Sequence, residues 1–132
     1  MGFHPINLSL RFVLELIGLA GLFRLGLSLG EGFGRWLLAF GLTFIAMALW
    51  ASFRVPGDPS AKGDAPVPVN GRTRLVIELL VFGAGGFGWF VTGPRWLAWA
   101  YLVALVAHHL VSYDRIAWLM SVDRAGQPEV PA

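Results

Sequence analysis

The sequence has no cysteine and few charged residues. Without cysteine in its 132 residues, disulfides, thiolate metal ligands and a catalytic thiol are excluded, and cysteine usage does not indicate a redox compartment. Only 14% of the residues are charged and 56% are hydrophobic, with a mean hydropathy of +0.65, whereas about 25% of the residues in soluble domains are charged. The composition therefore predicts a protein that lies in lipid.

The short motifs of common enzyme classes are also absent. There is no G-x-S-x-G, P-loop, H-E-x-x-H or dinucleotide-binding fingerprint, and no basic leader with a cleavage site precedes the first apolar run. The formal net charge of +2 comes mainly from arginine, which reports loop orientation in a membrane protein. We expect no enzyme, no nucleic-acid partner, and no bound metal or cofactor.

Four apolar runs approach the length of a membrane span. They cover about residues 8–29, 36–53, 75–90 and 96–120, and about 20 residues cross the ~30 Å hydrocarbon core as a helix. Because backbone groups must be paired in lipid and no strand-like alternation is present, the runs should be helices. The predicted fold is an all-α membrane protein with one transmembrane domain over residues 1–132.

The segments between these runs predict two helical hairpins. Turn residues at 30–34 and 92–94 favour antiparallel neighbours, so hairpin one covers about 7–54 and hairpin two about 72–120. The linker at 55–71 is rich in proline and glycine and predicts an extended, polyproline-like chain. Residues 121–132 form a short tail.

An internal repeat relates the hairpins. Each begins with an intramembrane Arg and Glu at the same spacing, and each continues with Arg-Trp-Leu at the start of its second helix. The matched segments are 11–16 with 74–79, 35–37 with 95–97, and 52–53 with 112–113. Because each half has an even number of spans, the duplication predicts a parallel repeat about an axis along the membrane normal.

Basic residues predict that both termini face the cytoplasm. Those on the side of the termini and linker are Arg11, Arg54, Lys62, Arg72, Arg74, Arg115 and Arg124, against Arg24, Arg35 and Arg95 on the other side. If Arg11, Arg74 and Arg115 lie inside the bundle, they do not count toward orientation, and four basic residues on the first side face three on the other.

Two i,i+4 pairs, Arg11 with Glu15 and Arg74 with Glu78, are the main candidate site. A charge at this depth costs about 2.5 to 3.5 kcal/mol, so the pairs should face the bundle interior, where each Glu could meet the Arg of the other half. One hypothesis is a symmetric transport site in which a carboxylate exchanges a proton as a cation passes. The other is a set of buried salt bridges that brace the hairpins.

Further polar residues extend this cluster. His108 and His109 lie at about the depth of the two Glu residues, and Asp114 and Arg115 lie nearer the cytoplasmic interface. Adjacent helical positions point about 100° apart, so the histidines cannot share one metal. One of them could join Glu15 and Glu78 in a divalent site, and the alternatives are a hydrogen bond to a neighbouring helix or a proton-relay role.

Tryptophans and glycines predict packing. Trp36, Trp96 and Trp99 near one face and Trp50 and Trp118 near the other are typical of aromatic belts. Small residues on the first and third helices predict either the closest helix contact or a dimer interface. These are Gly18, Gly21, Gly83, Gly85, Gly86 and Gly88.

Several of these residues also occur in a known family. With Asn7, Arg11 and Glu15 in the first span, Trp50-Ala51-Ser52-Phe53 and Pro56 after the second, and Arg74 with Glu78 in the third, the chain resembles the YrdB family of small bacterial membrane proteins from Asn7 to Leu119. The resemblance implies a four-span inner-membrane protein and no particular reaction. In general plan the chain also resembles small multidrug transporters, without their other signatures.

Three functional hypotheses remain open from the sequence. The first is a transporter or channel-like protein with a buried Arg/Glu site. The second is an accessory or structural subunit that contacts a second copy or a membrane complex. The third is a membrane protein that binds lipid, metal or a cofactor.

Overall fold

The computed structural model describes residues 5–58, 65–123, 125, 127 and 128. In these residues the helices are α1 (Pro5–Leu29), α2 (Gly32–Ser52), α3 (Gly71–Thr92), α4 (Arg95–Val111) and α5 (Tyr113–Leu119), with the strands β1 (Phe53–Arg54) and β2 (Val67–Pro68). Helices α1, α2 and α3 are each long and apolar enough to cross a membrane, and α4 with α5 passes the same test as a bent pair. The chain is therefore mostly helical, with several helices suited to a bilayer. Lys62 and Arg124, which enter the orientation argument, lie outside the described residues.

The two tight turns lie where glycine and proline predict them. Only Gly30 and Glu31 separate α1 from α2, and Gly32 begins α2 with a φ of 56°, a conformation that glycine adopts without steric cost. Gly93 and Pro94 separate α3 from α4. The first turn is thus shorter than the predicted 30–34.

Close contact between α1 and α3 organises the bundle. These two helices share the most extensive interface in the structure, and a Cβ at Gly85 would lie 2.5 Å from the Gly18 carbonyl oxygen. Gly21 and Gly88 are equally close to the backbone of the opposite helix. The glycines therefore let the two backbones touch, and the predicted α1–α3 contact is confirmed.

The last helical run is broken, contrary to the prediction of one helix over 96–120. Helices α4 and α5 meet at Ser112 with a bend of 70°, although neither glycine nor proline is present there. Ser112 has a φ of −92° and a ψ of 22°, and its hydroxyl accepts a hydrogen bond from Asn7 on α1 at 2.7 Å. A tertiary contact thus accompanies the bend, and α5 crosses the end of the bundle.

The ends of the linker pack against this bend and are not a free polyproline-like chain. Strands β1 and β2 pair in parallel, with Phe53 opposite Val67. A small apolar core joins the linker to α5 and the tail; its buried members are Val55, Val69, Leu119 and Val122. The described ends of the linker and α5 therefore form a cap over one end of the helices, and a cluster of buried charged residues lies beneath it.

Candidate functional site

Glu78 is the centre of a buried ionic cluster beneath the cap. Its side chain is 0% exposed, and its carboxylate contacts three arginines from three helices. Arg11 Nη2 lies 2.7 Å and Arg74 Nε 3.1 Å from Oε1, while Arg115 donates from Nη1 to Oε2 at 3.0 Å and from Nη2 to Oε1 at 2.7 Å. Such a paired geometry is the strongest way for an arginine to hold a carboxylate.

Arg115 also connects this cluster to the linker. Its Nη2 donates to Asp58 Oδ2 at 2.6 Å, and its Nε lies 3.4 Å from Oδ1. Both side chains are almost fully buried. Because α5 turns away from α4 at Ser112, Arg115 reaches both the first half of α3 and the linker.

Glu15 is the peripheral acid of the cluster. Its Oε1 lies 3.2 Å from Arg11 Nε, but this nitrogen has no aligned hydrogen-bond acceptor among the described residues. The side chain of Glu15 is 22% exposed. The predicted symmetric site is therefore one-sided, because Arg11 of the first half reaches Glu78 of the second half while Glu15 is held by the arginine of its own helix.

The formal charges of the cluster balance. Three arginines, Arg11, Arg74 and Arg115, face three carboxylates, Glu15, Glu78 and Asp58. Charges buried away from water are tolerated only when they are paired and hydrogen-bonded. Balanced pairing therefore offsets part of the cost of burying these charges.

Arg74 and Trp50 join α2 to the same cluster. Arg74 Nη1 donates to the carbonyl oxygens of Trp50 at 2.7 Å and Phe53 at 2.8 Å, which satisfies the end of α2. The Trp50 ring lies 4.8 Å from the Arg74 guanidinium and 5.1 Å from that of Arg11, within the range of cation–π attraction. Trp50 therefore packs on the cluster.

His108 belongs to a neighbouring hydrogen-bond chain. Its Nδ1 lies 3.0 Å from Asn7 Oδ1, and Asn7 Nδ2 donates to Ser112 Oγ at 2.7 Å. An amide oxygen only accepts, so Nδ1 of His108 carries the proton. This chain fastens the start of α1 to the end of α4.

His109 points elsewhere and takes no part in the cluster contacts. Its Nδ1 donates to the Leu105 carbonyl at 2.9 Å, and its ring meets Phe82 edge-on with centroids 5.8 Å apart. Among the described residues no group of three His, Asp or Glu side chains converges as a metal site. Both Glu78 oxygens face arginines, so they are not oriented for a shared divalent ion with either histidine.

A groove lies beside Glu15 at the edge of the cluster. It has a volume of about 280 Å³ and is formed by α1, α2 and α3. Its lining residues are Phe12, Glu15, Leu16, Leu19, Met47, Trp50, Ala51 and Val81. Glu15 is the one charged residue in this lining, so the groove presents a carboxylate to an apolar space.

The structure brings Arg11, Glu15, Arg74 and Glu78 together as the sequence predicts. His108 is not in contact with these four side chains among the contacts of the described residues, but it is hydrogen-bonded to Asn7, which lies one turn before Arg11 on α1. Asp114 lies in the first turn of α5, but the aspartate that pairs with Arg115 here comes from the linker. Sequence reasoning placed Arg115 beside the cluster, as the structure shows, but it missed Asp58, Asn7 and Ser112 as members of the site. Their polar character within or beside apolar runs was the available signal, and it did not reveal their partners.

Comparisons with known proteins identify the family of the chain. The model of a family described as "Protein of unknown function (DUF2568)" matches residues 9–107. The chain is 35% identical to the uncharacterized protein YrdB of Bacillus subtilis (strain 168) over 118 residues, which cover 89% of this chain and 96% of that protein. No solved structure matches significantly. The chain therefore belongs to the family of unknown function DUF2568, and its predicted kinship with YrdB is confirmed.

Proposed function

We propose that the protein is a four-span protein of the bacterial inner membrane that binds a small amphiphilic cation in the groove beside Glu15, as a transporter or channel-like protein does. The observation that carries the proposal is the partly exposed Glu15 carboxylate in a groove that is otherwise apolar. Ligand sites are typically concave and mostly apolar, with few polar groups that orient the ligand.

Glu15 is better suited than Glu78 to meet a ligand. Glu78 is enclosed by three arginines and has no exposed surface, so a further cation would have to displace one of them. Glu15 has one arginine neighbour, whose Nε is poorly aligned with it. A ligand cation at Glu15 would therefore add an attractive contact without breaking the contacts of Glu78.

The size and lining of the groove favour a compact ligand. A volume of about 280 Å³ lies just below the ~300–1,000 Å³ of typical ligand sites. Apolar side chains from α1, α2 and α3 would contact the hydrocarbon part of the ligand, and Trp50 offers an aromatic ring. The preferred substrate class is thus a small organic ammonium with an apolar body.

The membrane architecture is part of this proposal. Helices α1, α2 and α3 and the bent pair of α4 and α5 would be four spans, with the linker and both termini on the cytoplasmic side. Three arginines are buried in the bundle and do not count toward orientation: Arg11, Arg74 and Arg115. Four basic residues then remain on the proposed cytoplasmic side against three on the other, which still favours this orientation.

We also propose that the hairpins arose by duplication as a parallel repeat. Equivalent arginines, Arg11 and Arg74, are both buried near the start of the first helix of their halves, and equivalent serines, Ser52 and Ser112, mark the ends of α2 and α4. Superposition of the two hairpins in an experimental structure tests this relation. Halves that match only with reversed helix direction would contradict it.

A titration of the purified protein in nanodiscs tests the cation site. The probe is benzyltrimethylammonium, and binding is measured by isothermal titration calorimetry. We expect Glu15→Gln to weaken binding at least tenfold, which corresponds to about 1.4 kcal/mol. Ala51→Leu should also weaken binding, because it places extra bulk on the groove wall while leaving the charges unchanged.

Glu31→Gln is the matched control, since Glu31 is exposed in the turn between α1 and α2 and its loss removes the same charge far from the groove. It should leave binding unchanged. Neopentylbenzene, the neutral isostere of the probe, should not compete. Wild-type protein that binds no cation, or equal losses in Glu15→Gln and Glu31→Gln, would refute the cation site and favour an accessory subunit.

A further inference from the structure

A second concave site lies at the end of the bundle opposite the linker. It has a volume of about 240 Å³ and is lined by Arg24, Leu27, Ser28, Arg35 and Thr92. These residues come from the end of α1, the start of α2 and the end of α3. Two arginines and two hydroxyl side chains line the space, and none of the lining residues is a carboxylate.

Arg24 is held in a defined position at this site. Its Nη2 donates to the Thr92 carbonyl oxygen at 2.7 Å, and its Nε donates to Thr92 Oγ1 at 3.2 Å. Its guanidinium also lies 5.1 Å from the centroid of the Trp89 ring. These contacts restrict the side chain and leave Nη1 for another acceptor, so part of the ordering cost of binding is already met.

Arg35 supplies the second charge. Its guanidinium lies 5.8 Å from the Trp36 ring, and no carboxylate within the described ranges pairs with Arg24 or Arg35 in an ion pair. This contrasts with the cluster beneath the cap, where three arginines are balanced by three acids. An anion at the second site would therefore meet two arginines whose charge is not neutralised by the protein.

We infer that this site binds the phosphate group of an anionic phospholipid. Arginine suits phosphate because its planar group donates parallel hydrogen bonds to two oxygens. Exposed Phe33 and Trp36 lie beside the site at the start of α2, as aromatic residues do at the level of headgroups. A free phosphate ion shares this chemistry, and the exposed aromatic neighbours are the feature that favours the lipid. The inference requires membrane insertion, but it does not depend on cation binding at Glu15.

Native mass spectrometry of the purified full-length chain tests the site. The protein is titrated with phosphatidylglycerol, with phosphatidylcholine and with inorganic phosphate. We expect phosphatidylglycerol to bind with at least tenfold preference over phosphatidylcholine. The double variant Arg24→Gln with Arg35→Gln should lose that preference, and inorganic phosphate in large excess should not displace the lipid.

Arg95→Gln is the matched control, because Arg95 is exposed at the same end of the bundle and does not line the site. It should leave the preference within twofold of wild type. If loss of the Arg24 contacts unfolds the double variant, Ser28→Asp replaces it, since this exposed position can place a carboxylate in the site without burying it. Folded Ser28→Asp that keeps the preference, an equal loss in Arg95→Gln, or displacement by inorganic phosphate would each overturn the assignment to a lipid.

Discussion

Glu78 and Arg115 are joined by two hydrogen bonds, from Nη1 to Oε2 at 3.0 Å and from Nη2 to Oε1 at 2.7 Å, and neither side chain is more than 3% exposed. The pair is 37 residues apart in sequence and connects α3 to α5. Because Arg115 also holds Asp58, one guanidinium fastens the linker, the last helix and the core of the bundle. Removal of either partner should therefore affect more than one contact.

Glu78 and Glu15 should differ sharply in their contribution to stability. Glu78→Gln removes the charge that faces three buried arginines, and we expect a loss of about 3–5 kcal/mol, as for other broken buried pairs. Glu15→Gln affects a partly exposed pair and should cost about 1 kcal/mol or less. Unfolding by SDS titration in mixed micelles measures both variants. Similar losses would show that both carboxylates are braces and would argue against the groove as a ligand site.

The contact between Arg115 and Asp58 should keep the linker in place. In Asp58→Asn the side chain keeps its shape but loses its charge, so the cap should open more often while the pair of Arg115 and Glu78 remains. The amides of Val69 and Gly71, which donate to Arg54 and Val122, should then exchange hydrogen at least several-fold faster. Unchanged exchange at these amides would mean that the apolar contacts of the cap suffice without the ion pair.

Neighbouring glycines on α3 should respond oppositely to alanine. A Cβ at Gly85 would meet the backbone of Gly18, whereas a Cβ at Gly83 would meet open space. Gly85→Ala should therefore destabilise the protein by about 1–3 kcal/mol through overpacking. Gly83→Ala should be neutral or stabilising by about 0.5–1 kcal/mol, since alanine favours a helix interior. The same SDS titration compares them, and equal effects would contradict the observed contact between α1 and α3.

Cysteine labelling tests the proposed orientation, and the native absence of cysteine gives a clean background. Cysteines placed at Ser60 and Ala132 should react with a membrane-impermeant thiol reagent only after the cells are lysed. A cysteine at Glu31, in the turn between α1 and α2, should react in intact cells. The opposite pattern would show that the linker and the C-terminus face outward.

Much of the helical structure could be predicted because it depends on local composition. Long apolar runs without strand-like alternation predict helices, and the observed α1, α2 and α3 include most of the predicted residues. Glycine and proline predicted the two tight turns. The break at Ser112 could not be predicted, because no local breaker is present and the contact with Asn7 comes from 105 residues away.

The same distinction applies to the candidate site. The sequence by itself determined that Arg11, Glu15, Arg74 and Glu78 lie on helix faces turned toward the bundle, because their i,i+4 spacing and the cost of burying charge leave few alternatives. Only the tertiary structure decided that Glu78 pairs with three arginines while Glu15 borders an apolar groove. That outcome depends on the bend of α5, which delivers Arg115, and on the glycine contact, which brings α1 against α3. Both are contacts between segments distant in sequence, and helix periodicity carries no information about them.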